Sequence, residues 1–349
     1  MTAEDTAPPP APLALPSHWL AYRLSHLGDV VLTTGVLAYF ARTRGWRFAV
    51  ATKEPFAPIF DNIPHVERVF TLAQDDLGFS SFTAYSRRMA AALPGWGLLD
   101  LHASTRSRVL GLLWPGPVAR YPKMGVERRA FLASGGRLFK ESLNALSVPQ
   151  RYALALADEA PPASALAPRI ALSETETTEA DARLAALFGA SGPVGPVALH
   201  PYATHALKAW PKAHWRRLAA LLDNEGLPWI SIGVGAPLFA GRKEDLTGST
   251  TLRQSCALLS RCRTLVTGDY GPMHLATAVG TPVTALFGPT SREWGFYPSG
   301  PSDTVLELPL PCRPCSLHGK RPCPRNGECL ALITPEEVFA TIVSGSARV

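Results

Sequence analysis

At 349 residues, with 46 % hydrophobic and 18 % charged residues, the chain has a globular composition and room for two domains of ordinary size. It holds no uncharged apolar run of about 18 residues, which predicts no membrane span. The net charge is only +6, but residues 87–140 carry ten Lys and Arg against two acids, an excess of eight. Such a segment reads either as a solvated basic face or as a surface for an anionic partner, a phosphorylated glycolipid or a membrane. No motif supports nucleic acid.

Residues 1–17 are rich in Pro and Ala, carry Glu4 and Asp5, and predict a disordered tail. They lack the basic and apolar segments of a secretory signal, so the expected location is the cytoplasm, with reduced or metal-bound cysteines. Beyond them, apolar runs and amphipathic stretches alternate. Strands are predicted at 19–24, 47–52, 66–71 and 96–101, and helices at 30–44 and 104–114. This rhythm implies a parallel sheet covered by helices, an α/β domain over 18–160. Residues 158–169 contain Pro161, Pro162 and Pro168, which break helix and strand alike, and 161–169 reads as a linker. The rhythm restarts over 170–332, with strands at 193–199, 228–234, 264–267 and 282–287 and helices at 214–224, 252–260 and 273–279. A last helix over 335–343, in the segment 333–349, is announced by Thr334 as N-cap, Pro335 in the first turn and Glu337 closing a capping box.

Three strand-to-helix loops hold chemistry-bearing residues. In Ser25-His26-Leu27-Gly28-Asp29, glycine permits close approach to a ligand, and Asp29 sits near a helix start. Asp29 reads either as a helix cap or as a carboxylate able to take a proton from an attacking hydroxyl. In His200-Pro201-Tyr202-Ala203-Thr204 followed by Lys208-Ala209-Trp210-Pro211, Lys208 is either a surface lysine or a point charge for a diphosphate. In Gly268-Asp269-Tyr270-Gly271-Pro272-Met273-His274, backbone N–H groups at the helix start suit phosphate, and His274 is either a donor to it or a packed core residue. Phe287-Gly288-Pro289-Thr290 makes another glycine turn at the same sheet edge.

Taken in order, Leu24 to Asp29, Asp100-Leu101-His102 with Arg106 and Arg108, Lys208 to Pro211, Asp269 to Ala276, Gly280 to Thr290 and Ile333 to Val338 resemble the signature segments of glycosyltransferase family 9, the heptosyltransferases. The resemblance runs over about residues 20–343. It implies a GT-B fold of two Rossmann-like domains facing a cleft. The N-terminal domain would bind the acceptor and the C-terminal domain the nucleotide-sugar. It further implies an inverting transfer of a heptose from ADP-heptose to the inner core of lipopolysaccharide. Asp29 is then the general base, and Lys208 contacts the donor phosphates. Asp269, Gly271 and His274 join the donor pocket, together with Thr204 and Tyr270 in the same loops. No divalent metal takes part in the chemistry. Arg106, Arg108 and Lys123, in the basic segment, are the acceptor candidates, and that segment also suits peripheral contact with the cytoplasmic face of the inner membrane. Tyr270 and Tyr202 stand where the family usually has Ser or Thr and Gly. That leaves open another nucleotide-sugar or acceptor, or a relative that binds its nucleotide-sugar without turnover.

Cys312, Cys315, Cys323 and Cys329 fall within 18 residues, with His318 among them. In a reducing compartment such a set suits a structural zinc or iron ion, or else four packed thiols. A nicotinamide-dependent oxidoreductase would need G-x-G-x-x-G after a strand. Gly233-Val234-Gly235 has Leu238 where the third glycine belongs.

Overall fold

The computed structural model describes residues 15–189, 195–317, 319, 323 and 325–345. His318 and residues 1–14 of the predicted tail lie outside that set. Two five-stranded sheets are present, and every strand pair within them is parallel. The first comprises β1 (His18–Tyr22), β2 (Arg47–Lys53), β3 (Val66–Leu72), β4 (Gly97–Asp100) and β5 (Val118–Arg120), in the order β3-β2-β1-β4-β5. The second comprises β6 (Val197–His200), β7 (Trp229–Ser231), β8 (Thr264–Gly268), β9 (Val283–Phe287) and β10 (Thr304–Glu307), in the order β10-β9-β8-β6-β7. The continuous apolar runs behind β1, β6, β8 and β9 are buried nearly throughout, as strands covered on both faces must be.

Each sheet reverses its strand order once, between β1 and β4 in the first and between β6 and β8 in the second. In open α/β sheets the crevice at such a reversal, beyond the carboxyl ends of the strands, is where ligands bind. The loops after β1, β4, β6 and β8 are those that hold Asp29, His102, Lys208 and Asp269.

The N-terminal half also holds α1 (Leu27–Arg44), α2 (Phe79–Ala92), α3 (Thr105–Leu113), α4 (Gly125–Ala133), α5 (Lys140–Asn144) and α6 (Val148–Ala153). The C-terminal half holds α7 (Glu174–Phe188), α8 (Lys212–Asn224), α9 (Leu252–Leu259), α10 (Gly271–Ala278), α11 (Glu328–Ala331) and α12 (Pro335–Gly345). α1 is apolar nearly all round because it lies between its own sheet and α10 of the other domain. Gly45, at φ 68°, ends it by donating its N–H to Ala41 O. One buried cluster therefore runs through both domains, from Trp19, Val30 and Phe48 to Met273, Leu275 and Val283.

The pattern left out β5, which is short and mostly exposed, β10, which is short and half-buried, the helices α2, α4, α5 and α6, and α7, which fully buries only Ala180. The proline-rich linker, read as breaking helix and strand alike, holds one short helical turn over Ala163–Leu166. It crosses α1 at Gly35, where a Cβ would lie 2.2 Å from Leu166 O. α12 starts as expected, with Thr334 and Glu337 exchanging hydrogen bonds, and packs on α8 and β9. Among the described residues no helix is long and apolar enough to cross a membrane.

Candidate active site

The loop after β1 turns into α1 through Ser25 and His26, and Asp29 occupies the first turn of that helix. His26 N donates to Asp29 Oδ2 at 3.2 Å, so the capping role is real. The carboxylate also meets Arg23 Nη2 at 2.7 Å, and Tyr152 OH donates to its Oδ1 at 2.9 Å. Arg23 is buried, donates to Leu101 O at 2.6 Å and lies over the Tyr152 ring. Burial alone would raise the Asp29 carboxyl. The Arg23 charge and hydrogen bonds from His26 and Tyr152 outweigh it and hold the acid well below the usual carboxylate range. Asp29 is therefore ionised at any working pH.

The loop after β4 frames the same spot. Asp100 is buried, pairs with Arg120 at 2.6 Å and accepts from the His102 and Ala103 N–H groups at 3.1 and 2.8 Å. Its work is to shape the loop. His102 is pushed down to about 4 by burial, then by Arg23 and Lys123, and is neutral. Lys123 donates to Ala103 O at 3.2 Å and lies within electrostatic reach of Arg23, Asp29 and Arg128. Arg106 and Arg108 lie exposed on α3, with Arg106 donating to Leu77 O at 3.2 Å. All three acceptor candidates are exposed, and Lys123 lies within electrostatic reach of Asp29.

On the second domain, β6 ends at His200, which shares a 3.1 Å hydrogen bond with Thr267 and is pushed down to about 4 by burial. Lys208 pairs with the Asp269 carboxylate, donates to Asp269 O at 3.1 Å, and has its ammonium 5.3 Å from the centre of the Tyr270 ring. Thr290 Oγ1 donates to the same carboxylate at 2.8 Å. Tyr270 occupies the position before α10 without a capping hydrogen bond and donates to His205 O at 3.3 Å, whereas Thr204 is exposed in its loop. Tyr202 lies against Gly233 and Gly235, where a Cβ would come within 2.4 and 3.1 Å of its ring. Two bare glycines thus make the space for this unusual residue.

The halves meet at the two helix starts. A Cβ on Gly28 would lie 2.5 Å from His274 Cδ2, and one on Gly271 would lie 2.7 Å from Leu27 Cδ2. His274 is buried. Burial lowers its pKa, the Asp269 and Asp29 charges oppose this, and Lys208 adds to it. One ring therefore senses the acid of the first domain and the ion pair of the second.

The cysteine loop carries four free thiols. Burial raises Cys315, as do Cys312 and Cys323 beside it. Cys329 is pushed up to about 11 by burial, with Arg313 opposing and the other three cysteines adding. Among the described residues, no three His, Cys, Asp or Glu are arranged to hold a metal ion. Cys256 and Cys262 are buried core residues.

Sequence reading passed over Arg23, Tyr152 and Arg313. A lone cation ending an apolar strand was a signal for Arg23, since a buried charge needs a partner. Tyr152 carries no such signal, because it reaches Asp29 across 123 positions.

Two Rossmann-like sheets whose reversal points face each other across a shared site define the GT-B architecture. The sequence pattern of glycosyltransferase family 9 (heptosyltransferase) matches residues 137–323, more than half the chain, and the chain belongs to that family. Lipopolysaccharide heptosyltransferase 2 of Salmonella typhimurium is 34 % identical over 100 residues, which cover 25 % of this chain and 29 % of that one. The match thus spans under a third of that relative's length. In fold, the chain resembles E. coli ADP-heptose lps heptosyltransferase II, with TM-score 0.68, 21 % identity and coverage of 95 % and 99 %. It also resembles the iron-containing heptosyltransferase TibC of E. coli in complex with ADP-D-beta-D-heptose, with TM-score 0.58, 15 % identity and coverage of 96 % and 78 %.

Proposed function

We propose that this glycosyltransferase moves a heptose from ADP-heptose to a phosphorylated lipid-linked saccharide, the inner core of lipopolysaccharide, with inversion at the anomeric carbon. The observation that carries this reading is the close approach of Gly28, beside Asp29, to His274, whose ring feels both the Asp29 charge and the Lys208–Asp269 pair. An acceptor hydroxyl attacks the anomeric carbon and gives its proton to Asp29, while the bond from that carbon to the diphosphate breaks. Lys208 spends two contacts on Asp269, and an ammonium has three N–H donors, so one remains for a phosphate oxygen. The N-terminus of α10 adds backbone donors for the same charge. The names of the E. coli relatives of similar fold supply the donor, and the Salmonella relative's name supplies the acceptor. Lys123, with the basic segment 87–140 behind it, faces the acceptor's anionic groups at the cytoplasmic surface of the inner membrane. The thiols of Cys312, Cys315, Cys323 and Cys329 are the right donor set for a structural zinc or iron ion outside the chemistry.

The test is Asp29→Asn, which keeps the shape but cannot accept the proton. Turnover should fall about 100-fold or more, the scale of general-base loss, with ADP binding unchanged. Near-normal turnover would remove Asp29 from the role.

A further inference from the structure

We propose that Arg313 is a positioning residue for the donor end of the site, and that residues 312–317 around it are thereby a wall of that site. The inference rests on the reading of Lys208 and Asp269 as the donor end. Arg313 stands between Cys312 and Cys315, with its side chain only 7 % exposed. Its guanidinium donates to Gly288 O at 2.5 Å, Leu308 O at 2.5 Å and Thr290 O at 2.9 Å, and pairs with Glu307 at 2.6 Å. Two of these carbonyls belong to the turn that follows β9, and that turn presents the Thr290 hydroxyl. The hydroxyl donates at 2.8 Å to the Asp269 oxygen that Lys208 also holds. A continuous series of contacts therefore runs from the cysteine loop through Thr290 and Asp269 to the lysine.

Other contacts fix the loop against the same turn and the same lysine. Cys315 N donates to Pro289 O at 3.3 Å, and a Cβ on Gly288 would lie 2.7 Å from Leu330 and 3.3 Å from Cys329 Sγ. Gly319, at φ +76°, passes so close to Lys208 that a Cβ would lie 3.0 Å from its Cγ. Leu317 packs on Phe131 and Leu143 of the first domain and Trp294 of the second. Leu317 and Gly319 thus bring this stretch against both domains and Lys208.

The physical reason for such a clamp is the freedom of lysine. Its long stem has many rotamers, and a charge that must meet a diphosphate gains from being aimed beforehand. Asp269 aims it, Thr290 holds Asp269, and the planar fork of Arg313 holds the Thr290 backbone. Lysine at 313 would keep the charge but lose the fork.

The experiment measures ADP dissociation constants by calorimetry on the full chain, with donor and acceptor KM alongside. Lys208→Ala tests the underlying reading: if it leaves ADP binding unchanged, that reading fails. With Lys208→Ala weakening ADP, Arg313→Gln should raise the dissociation constant and the donor KM about tenfold, with acceptor KM within about twofold. Arg313→Lys should recover little of this. Thr290→Val, which deletes only the hydroxyl, should raise the ADP constant about threefold. It decides the matter if Arg313→Gln does not fold. ADP affinity unchanged in folded Arg313→Gln or in Thr290→Val, while Lys208→Ala loses it, overturns the inference.

Discussion

At Asp29 one carboxylate closes the first turn of α1 and receives Arg23 and Tyr152. The cation keeps it ionised but lowers its basicity, and an arriving diphosphate would push that basicity back up. The balance gives a pH prediction. Because the folded acid is held low, its protonation does not limit the wild type across the usual assay range. In Arg23→Gln the largest opposition to burial is lost and only the His26 and Tyr152 hydrogen bonds remain, so the acid limb of kcat/KM should move up by about one unit or more. Arg23→Lys, which keeps the charge, should restore most of the wild-type profile. A profile that stays in place while Arg23→Gln loses turnover would mean that Arg23 does not act through the acid.

Among the elements, the cysteine loop combines sequence compactness with incomplete gathering. Cys315 resists ionisation through burial and then the Cys312 and Cys323 charges, and Cys329 through burial and then the charges of the other three cysteines, with Arg313 opposing at both. A bound cation would reverse that balance, since thiolates are its ligands. Freshly purified, reduced protein should contain about one equivalent of zinc or iron by elemental analysis. Cys315→Ser should lose metal and melting temperature together, and added magnesium should not restore activity. Metal-free protein of full stability would leave four packed thiols.

Over the whole molecule, acid sensitivity follows from histidines buried neutral. His200 and His102 are both pushed down to about 4, chiefly by burial, whereas in the unfolded chain they titrate near the ordinary value of about 6.5. Between those values the unfolded state binds more protons than the folded one. Their contribution is complete above about pH 6.5 and is lost as pH falls towards about 4. The melting temperature should therefore decline through that window, and His200→Asn should flatten the decline. An unchanged slope in His200→Asn would locate the sensitivity elsewhere.

Local chemistry made much of this protein readable. The alternation of apolar runs with amphipathic segments announced two parallel-sheet domains, because strands covered on both faces and helices with one buried face leave those patterns wherever they occur. The candidate loops were visible because glycine, a helix start and a polar side chain lie within a few residues of each other. Tertiary structure alone decided which of them meet. Strand order placed the loops after β1 and β4 at one reversal and those after β6 and β8 at the other, and no short stretch of chain encodes that order. It also settled that Asp29 is held by a tyrosine 123 positions away, and that Arg313 reaches the Thr290 turn 23 positions before it. Such pairings arise when burial strips water from a charge and leaves a distant side chain or carbonyl as its partner.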